Sequence, residues 1–388
     1  MENSIGVKFK LYALTISTWS MKYLLSRFRQ YEKPLNILFC TVDHYEPGTG
    51  GVNEYIEKQR VDELIEKYPK FADKHRDSGN NILKRTWFFP PHYHRNRSIR
   101  KLVSICKQGY GEIELHLHHG KVKPDTQENL EMTIQQTIEE YGLFGIFGSE
   151  KNRRRYGFIH GDWALNNSRN GKYCGVDNEI EILKRTGCYA DFTFPSMNEA
   201  NPRMINSIYY AKDDDARPKP YTRGRPVRKG DKLDQFMIIQ GPLHPYFKND
   251  KLYNLRILND SIDQSNPNTR KRADWWIRTS IHVKGKPEWI IIKTHTHGAI
   301  DQNVVLGNPF GDLISYLESK YNDGEAFRIH YVTARELYNI IKAAEAGEEG
   351  GDPGAYRDYV ISPPAYDDSV ECHEASDKLK GLLARTYR

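Results

Sequence analysis

Short apolar runs recur along the chain, separated by longer charged stretches with helical spacing. Residues 35–42 (Leu-Asn-Ile-Leu-Phe-Cys-Thr-Val) and 82–89 read as buried strands, and 112–117 alternates polar and apolar positions with the period of a strand. The same reading predicts strands over 156–159, 189–194, 236–240, 280–283, 288–293 and 328–332. Helices are predicted over 52–75, with a break at Pro69, over 98–107, and from Asp125 onward. Asp125 and Glu128 have capping-box spacing there, and Leu130, Ile134, Ile138 and Tyr141 recur at three- and four-residue steps. Residues 178–186, with Gly187 as C-cap, 310–321 and 334–346 complete the helical set.

Strands alternating with helices across 35–346 predict an α/β fold with a parallel sheet, in one domain without internal repeat. Residues 198–232 interrupt the rhythm: they are rich in Pro, Gly, Arg and Lys, carry Asp213-Asp214-Asp215, and read as a long loop insertion. Residues 1–34 form a basic helical segment and 347–388 a loop-rich tail. Thr15, Ser17, Thr18, Ser20 and Lys22 make the N-terminal helix too polar to span a bilayer, and no small-residue cleavage site follows. Two readings of it stand, peripheral contact with an anionic membrane or packing on its own domain, and the second is preferred.

Composition narrows this little. Of 388 residues, 38% are hydrophobic and 12% aromatic, enough for a core. A net charge of +6 is mild for the size; with no accompanying motif, nucleic acid is not an expected partner. The five cysteines are scattered without a Cys-x-x-Cys pair, which predicts free thiols in a reducing compartment and no cysteine-type zinc site.

Histidine placement is the informative feature. Nine of 14 histidines fall in five short stretches, each at the end of a predicted strand: His44; His92 and His94; His116, His118 and His119; His160; His295 and His297. Parallel strands in a barrel bring such ends to one face. His116 and His118, two apart on a strand, share a side. Imidazoles with a carboxylate predict Zn²⁺, or else Fe, Co, Ni or Mn, in a three-ligand site open to water, which is the arrangement for metal-assisted hydrolysis. Asp43 is the candidate base, or itself a ligand, and His295 or His297 the acid. Tyr45, Trp87 and Trp163 lie beside these stretches as a sugar-stacking wall, with His160 and Asp162 as further substrate contacts.

Several of these stretches resemble motifs of the polysaccharide deacetylase (NodB-homology) superfamily. Thr41-Val42-Asp43-His44 is similar to its first motif, Thr-Phe-Asp-Asp, which implies Asp43 as catalytic base and His44 as metal ligand. The 112–118 stretch resembles the second motif, a strand ending in His-Ser/Thr-x-x-His; His116 matches the first histidine, Gly120 stands at the second, and His118 is taken in its place. His160 stands where the third motif has arginine, 183–194 resembles a helix-Gly-strand unit, and 293–298 resembles the last motif with its acid histidine. The resemblance implies a distorted (β/α) barrel of about seven parallel strands. It also implies removal of acetyl groups from N- or O-acetylated sugars, here of surface-polysaccharide precursors; the missing cleavage site, not the resemblance, predicts an enzyme in the cytoplasm or at the inner membrane face. A non-catalytic carbohydrate-binding barrel and a paired-carboxylate glycosidase, using for example Glu46, Glu114 or Asp162, are the alternatives. The sequence is silent on oligomeric state.

Overall fold

The computed structural model describes residues 2–26, 32–93, 96–212, 217–247, 254–266, 268–370 and 376–385. His94, His373, Cys372 and the Asp213-Asp214-Asp215 run lie outside them. In chain order the strands are β1 (Leu35–His44), β2 (Arg85–Phe89), β3 (Gly111–Leu117), β4 (Gly148–Glu150), β5 (Arg153–His160), β6 (Cys188–Asp191) and β7 (Ile208–Ala211). They continue with β8 (Gly224–Pro226), β9 (Met237–Ile239), β10 (His244–Phe247), β11 (Leu255–Leu258), β12 (Ser261–Ile262), β13 (Trp289–Thr296) and β14 (Phe327–Tyr331).

All but the β10–β11 hairpin join one mixed sheet, with the path β12-β13-β1-β2-β3-β5-β6-β9-β7-β8. From β12 to β9 every neighbour is parallel, and β14 lies parallel to the first half of β1. β4, β7 and β8 are antiparallel additions. The α/β class with a mostly parallel sheet is therefore observed, with more strands than the expected seven.

Side-chain alternation sorts the core into two layers. Ile37 and Phe39 of β1 join Ile113, Leu115 and Phe158 under the helices Glu54–Ala72, Asn96–Lys107, Gln127–Gly142, Arg270–Thr279 and Asn308–Tyr321. Leu38, Cys40 and Val42 point the other way, to Phe88, Ile159, Ile239, Ile291 and the apolar face of helix Ala334–Ala346. Because Ile291 of β13 and Ile239 of β9 share this second cluster, the sheet curls around that helix. A Thr333–Glu336 capping box starts the helix and left-handed Gly347 ends it. Lys293 Nζ donates to the carbonyls of Phe192 and Phe194 at 3.0 and 2.7 Å, so side chains also bridge the curl from β13 to the chain beyond β6.

Three segments differ from expectation. The 198–232 insertion contributes β7 and β8, because Ile208, Tyr209 and Tyr210 bury their side chains in the sheet. Residues 280–283 form no ladder; Ser280 stops the preceding helix in the left-handed region and only Ile281 bridges to Ile291. The C-terminal tail is built in: Arg357 donates to Tyr331 O and pairs with Glu336, Ile113 N donates to Tyr366 Oη, and Ser376 caps a last helix, Asp377–Ala384, while bonding Glu140. The N-terminal helix, Glu2–Ser26, lays Leu11 against Ile205, Leu243 and Ile257. No helix among the described residues is long and apolar enough to cross a membrane.

Gly120, just past β3, has φ +65° and its missing Cβ would stand 2.0 Å from the Cys174 carbonyl oxygen. Gly120→Ala combines a left-handed backbone with a backbone clash, and is expected to cost more than about 2 kcal/mol. A denaturant midpoint unchanged from wild type would show that the loop is not held this tightly.

Candidate metal centre

Sheet register delivers the strand-end side chains to one mouth. Val42 pairs with His295 and Asp43 with Thr296 across β1–β13, His44 with Phe88 across β1–β2, and His116 with Ile159 across β3–β5. On β3, Glu112, Glu114 and His116 point into the curl while Ile113, Leu115 and Leu117 face the helices; both faces are buried. The His44 ring lies 5.0 Å from that of His116, 5.5 Å from His295 and 4.9 Å from His297, centroid to centroid. His118 follows at 4.7 Å from His116.

Within this group Glu46, His116 and His118 place one ligand atom each within 4.8 Å of one another, and can hold a metal ion. His116 is fully buried and its Nδ1 donates to the Ile159 carbonyl at 2.8 Å, which fixes the tautomer. Its Nε2 is buried without a hydrogen-bond partner. A buried bare imidazole nitrogen aimed at a carboxylate and a second imidazole is what a cation would satisfy. His118 Nε2 stands 2.9 Å from Glu46 Oε1, and its Nδ1 donates to Asp162 Oδ2 at 2.9 Å. Two histidines and one glutamate are a recognised ligand set for catalytic zinc, leaving a position open. Glu46, in the loop beyond β1, joins the expected His116 and His118 in this group, and the expected His44 lies beside it, its ring 5.0 Å from that of His116.

Electrostatics separate the two imidazoles. Burial and the neighbouring His118 charge push His116 down to about 3, so it is neutral at pH 7. Burial also opposes the charge on His118, but Asp162 and Glu46 outweigh it and lift that imidazole to about 9. Glu46 is held below its usual range against its own burial, by His118 first. In the metal-free protein the His118 contribution to stability is thus complete below about pH 6.5 and lost as pH rises through about 9. Metal must displace that proton. Uptake at pH 7 is expected to release about one proton per ion, with affinity rising on the order of tenfold per pH unit up to about pH 9. Calorimetry in buffers of differing ionisation enthalpy measures the count, and a value of zero would contradict it.

Opposite the ligand set, His295 Nδ1 donates to Asp260 Oδ1 at 2.7 Å, and Asp260 Oδ2 pairs with Lys293 at 2.8 Å; all three are buried. This orients His295 and leaves Nε2 as its working nitrogen. His297 is half-buried, its ring 6.0 Å from His295. Asp43 is buried with both oxygens engaged, by Arg85 Nη1 at 3.0 Å and Gly298 N at 2.7 Å, so it ties β1 to the turn that carries His297. Trp163 is half-buried, 6.4 Å from His44, and forms a wall.

Three expected contacts lie elsewhere. Tyr45 and Trp87 have no exposed surface and pack under the helices, against Phe89 and Tyr68 respectively, so neither can stack on a sugar. His160 points to the helical side of β5, with Phe158 and Tyr156, and meets His119 and Glu179 instead of the mouth. Glu114, a glycosidase candidate, is taken by the Tyr189 hydroxyl at 2.7 Å and Gly157 N at 2.6 Å. No family model matches the chain, and no curated protein matches it.

Proposed function

We propose that this chain is a metal-dependent hydrolase that removes acetyl groups from N- or O-acetylated sugars, with carbohydrate as its substrate class. The observation that supports this reading is the meeting of a two-histidine, one-carboxylate donor set with the Asp260-oriented His295 at one end of the parallel strands. A divalent ion held by Glu46, His116 and His118 would supply Lewis acidity toward an acyl oxygen and acidify a water near neutral pH. Zinc fits the donor set best.

The chain's own groups then divide the remaining work. His295 takes a proton at Nε2 as water adds to the acyl carbon, and returns it to the departing sugar nitrogen or oxygen. Asp260 holds the ring in that tautomer and stabilises the imidazolium, while Lys293 fixes the carboxylate. Asp162 anchors His118 from outside the ligand set, and the Trp163 face offers a flat apolar surface to a pyranose ring. A curled parallel barrel would place all of these at the carboxyl ends of its strands.

Acetate release from N-acetylglucosamine oligomers and from O-acetylated xylan, before and after chelation, tests the reading. Activity lost on chelation and restored by a divalent ion is expected. Acetate release indifferent to chelator, or tight sugar binding without turnover under every metal tried, would overturn it.

A further inference from the structure

A second cluster of ligating side chains lies on the helical side of the sheet. The geometry points to a closed, structural zinc site formed by His119, His160, Cys174 and Glu179, which braces the 161–177 loop. All four residues are buried, and one ligand atom from each falls within 4.8 Å of the others.

Each of the four is already held by an outer partner that leaves one donor atom facing the common centre. His119 Nδ1 donates to Asp125 Oδ2 at 3.0 Å, the carboxylate–histidine pairing that accompanies bound metals. His160 Nδ1 donates to the Gly161 carbonyl at 2.5 Å. With both Nδ1 atoms committed, the two Nε2 atoms face each other at 2.9 Å. Glu179 Oε2 accepts from Asn166 N at 2.5 Å, leaving Oε1 at 3.0 Å from His119 Nε2 and 3.5 Å from His160 Nε2. Cys174 Sγ accepts from the backbone amides of Asn167 and Val176 at 3.2 and 3.4 Å and stands 3.5 Å from Glu179 Oε2. Tetrahedral zinc with bonds of about 2.0–2.3 Å puts its ligand atoms about 3.3–3.7 Å apart, so the two Nε2 atoms and Glu179 Oε1, now 2.9–3.5 Å from one another, need to shift by only tenths of an ångström. Thiolate and carboxylate together neutralise the ion, and four protein ligands leave no position for water, which makes the site structural.

The loop explains the need for a brace. Asp162, Trp163, Asn166, Asn167, Asn170 and Tyr173 all have φ between 48° and 64°. Six non-glycine residues in the left-handed region within one loop need the surroundings to hold them. The loop supplies Asp162 to His118 and Trp163 to the mouth, so a metal on one side of the sheet fixes a wall of the site on the other. This proposal departs from the sequence expectation that no cysteine takes part in a zinc site: Cys174 meets its partners through the fold, not through a Cys-x-x-Cys spacing.

Elemental analysis of the full-length His116→Ala protein, in which the mouth set is broken, separates the two sites. One equivalent of zinc that survives dialysis against chelator is expected. Loss of all zinc would overturn the proposal. Cobalt loaded into the wild-type protein reads the ligands directly: a thiolate-to-cobalt charge-transfer band is expected, absent from Cys174→Ser. A cobalt protein without that band, or one whose band persists in Cys174→Ser, would also overturn it. If Cys174→Ser fails to fold, the wild-type band and the His116→Ala zinc content decide.

Discussion

His116→Ala is expected to weaken metal binding at the mouth by more than about 100-fold and to abolish hydrolysis. Losing an outer-shell partner alone typically costs 10- to 100-fold in affinity, and His116 belongs to the ligand set itself. It is the one member whose tautomer is fixed by backbone and whose Nε2 is buried without a partner. Glutamine at this position retains a polar end but cannot donate to Ile159 O and present a bare nitrogen from the same ring. Asp162→Asn should be milder, since it leaves all three ligands and alters only what orients His118. Metal titration of the three proteins, with melting temperature as the check on folding, measures the order. Equal affinity in wild type and His116→Ala would remove the mouth as the metal centre.

Glu112→Gln is expected to destabilise the protein by about 3–5 kcal/mol without touching the mouth, because it breaks a buried ion pair by removing one partner. Glu112 lies in the concave face of β3, where Arg335 Nη2 donates to Oε1 at 2.8 Å and Thr333 Oγ1 to Oε2 at 2.9 Å. Arg335, 2% exposed at its side chain, also donates to Asp358 Oδ1 and to the carbonyls of Arg357 and Ile361, so this pair joins sheet, helix Ala334–Ala346 and C-terminal strap. The double variant Glu112→Met with Arg335→Met removes both charges and should recover part of the loss. Urea midpoints compare the three proteins. A Glu112→Gln loss below about 0.5 kcal/mol would mean that the pair is solvated in solution.

What the residue pattern disclosed, and what it hid, follows from how buried the sheet is. Strand-end histidines were legible because Gly and Pro punctuate the chain beside them, as in His118-His119-Gly120 and His297-Gly298, and because parallel strands must end on one side. Which face a side chain takes was not. In β2 the run Arg-Thr-Trp-Phe-Phe is buried throughout, and in β5 both Phe158 and Ile159 are apolar, so alternation carries no signal there. Nearness to the histidine stretches places Trp87 at the mouth and its strand-end position places His160 there, whereas parity puts both under the helices.

Asp260, and the place of Glu46 beside the histidines, were hidden differently: Glu46 enters the sequence reading only as a glycosidase carboxylate. Glu46 stands two residues beyond β1 in a loop, where no periodicity applies, and Asp260 precedes a two-residue strand that nothing in the sequence marks. Each acts through a histidine remote in sequence, Glu46 through His118 and Asp260 through His295, and only the fold makes those meetings. The Tyr-rich insertion misled in the opposite way: its Pro, Gly and charge content reads as loop, while Ile208, Tyr209 and Tyr210 alone carry the strand.

Anomalous diffraction from crystals grown with zinc, recorded at the metal edge, tests the mouth directly. The expected map has a peak between Glu46, His116 and His118, at about 2.0–2.2 Å from Oε1 and from both Nε2 atoms. A map with that position empty, while zinc occupies other sites in the same crystal, would contradict the assignment of the mouth as the metal centre.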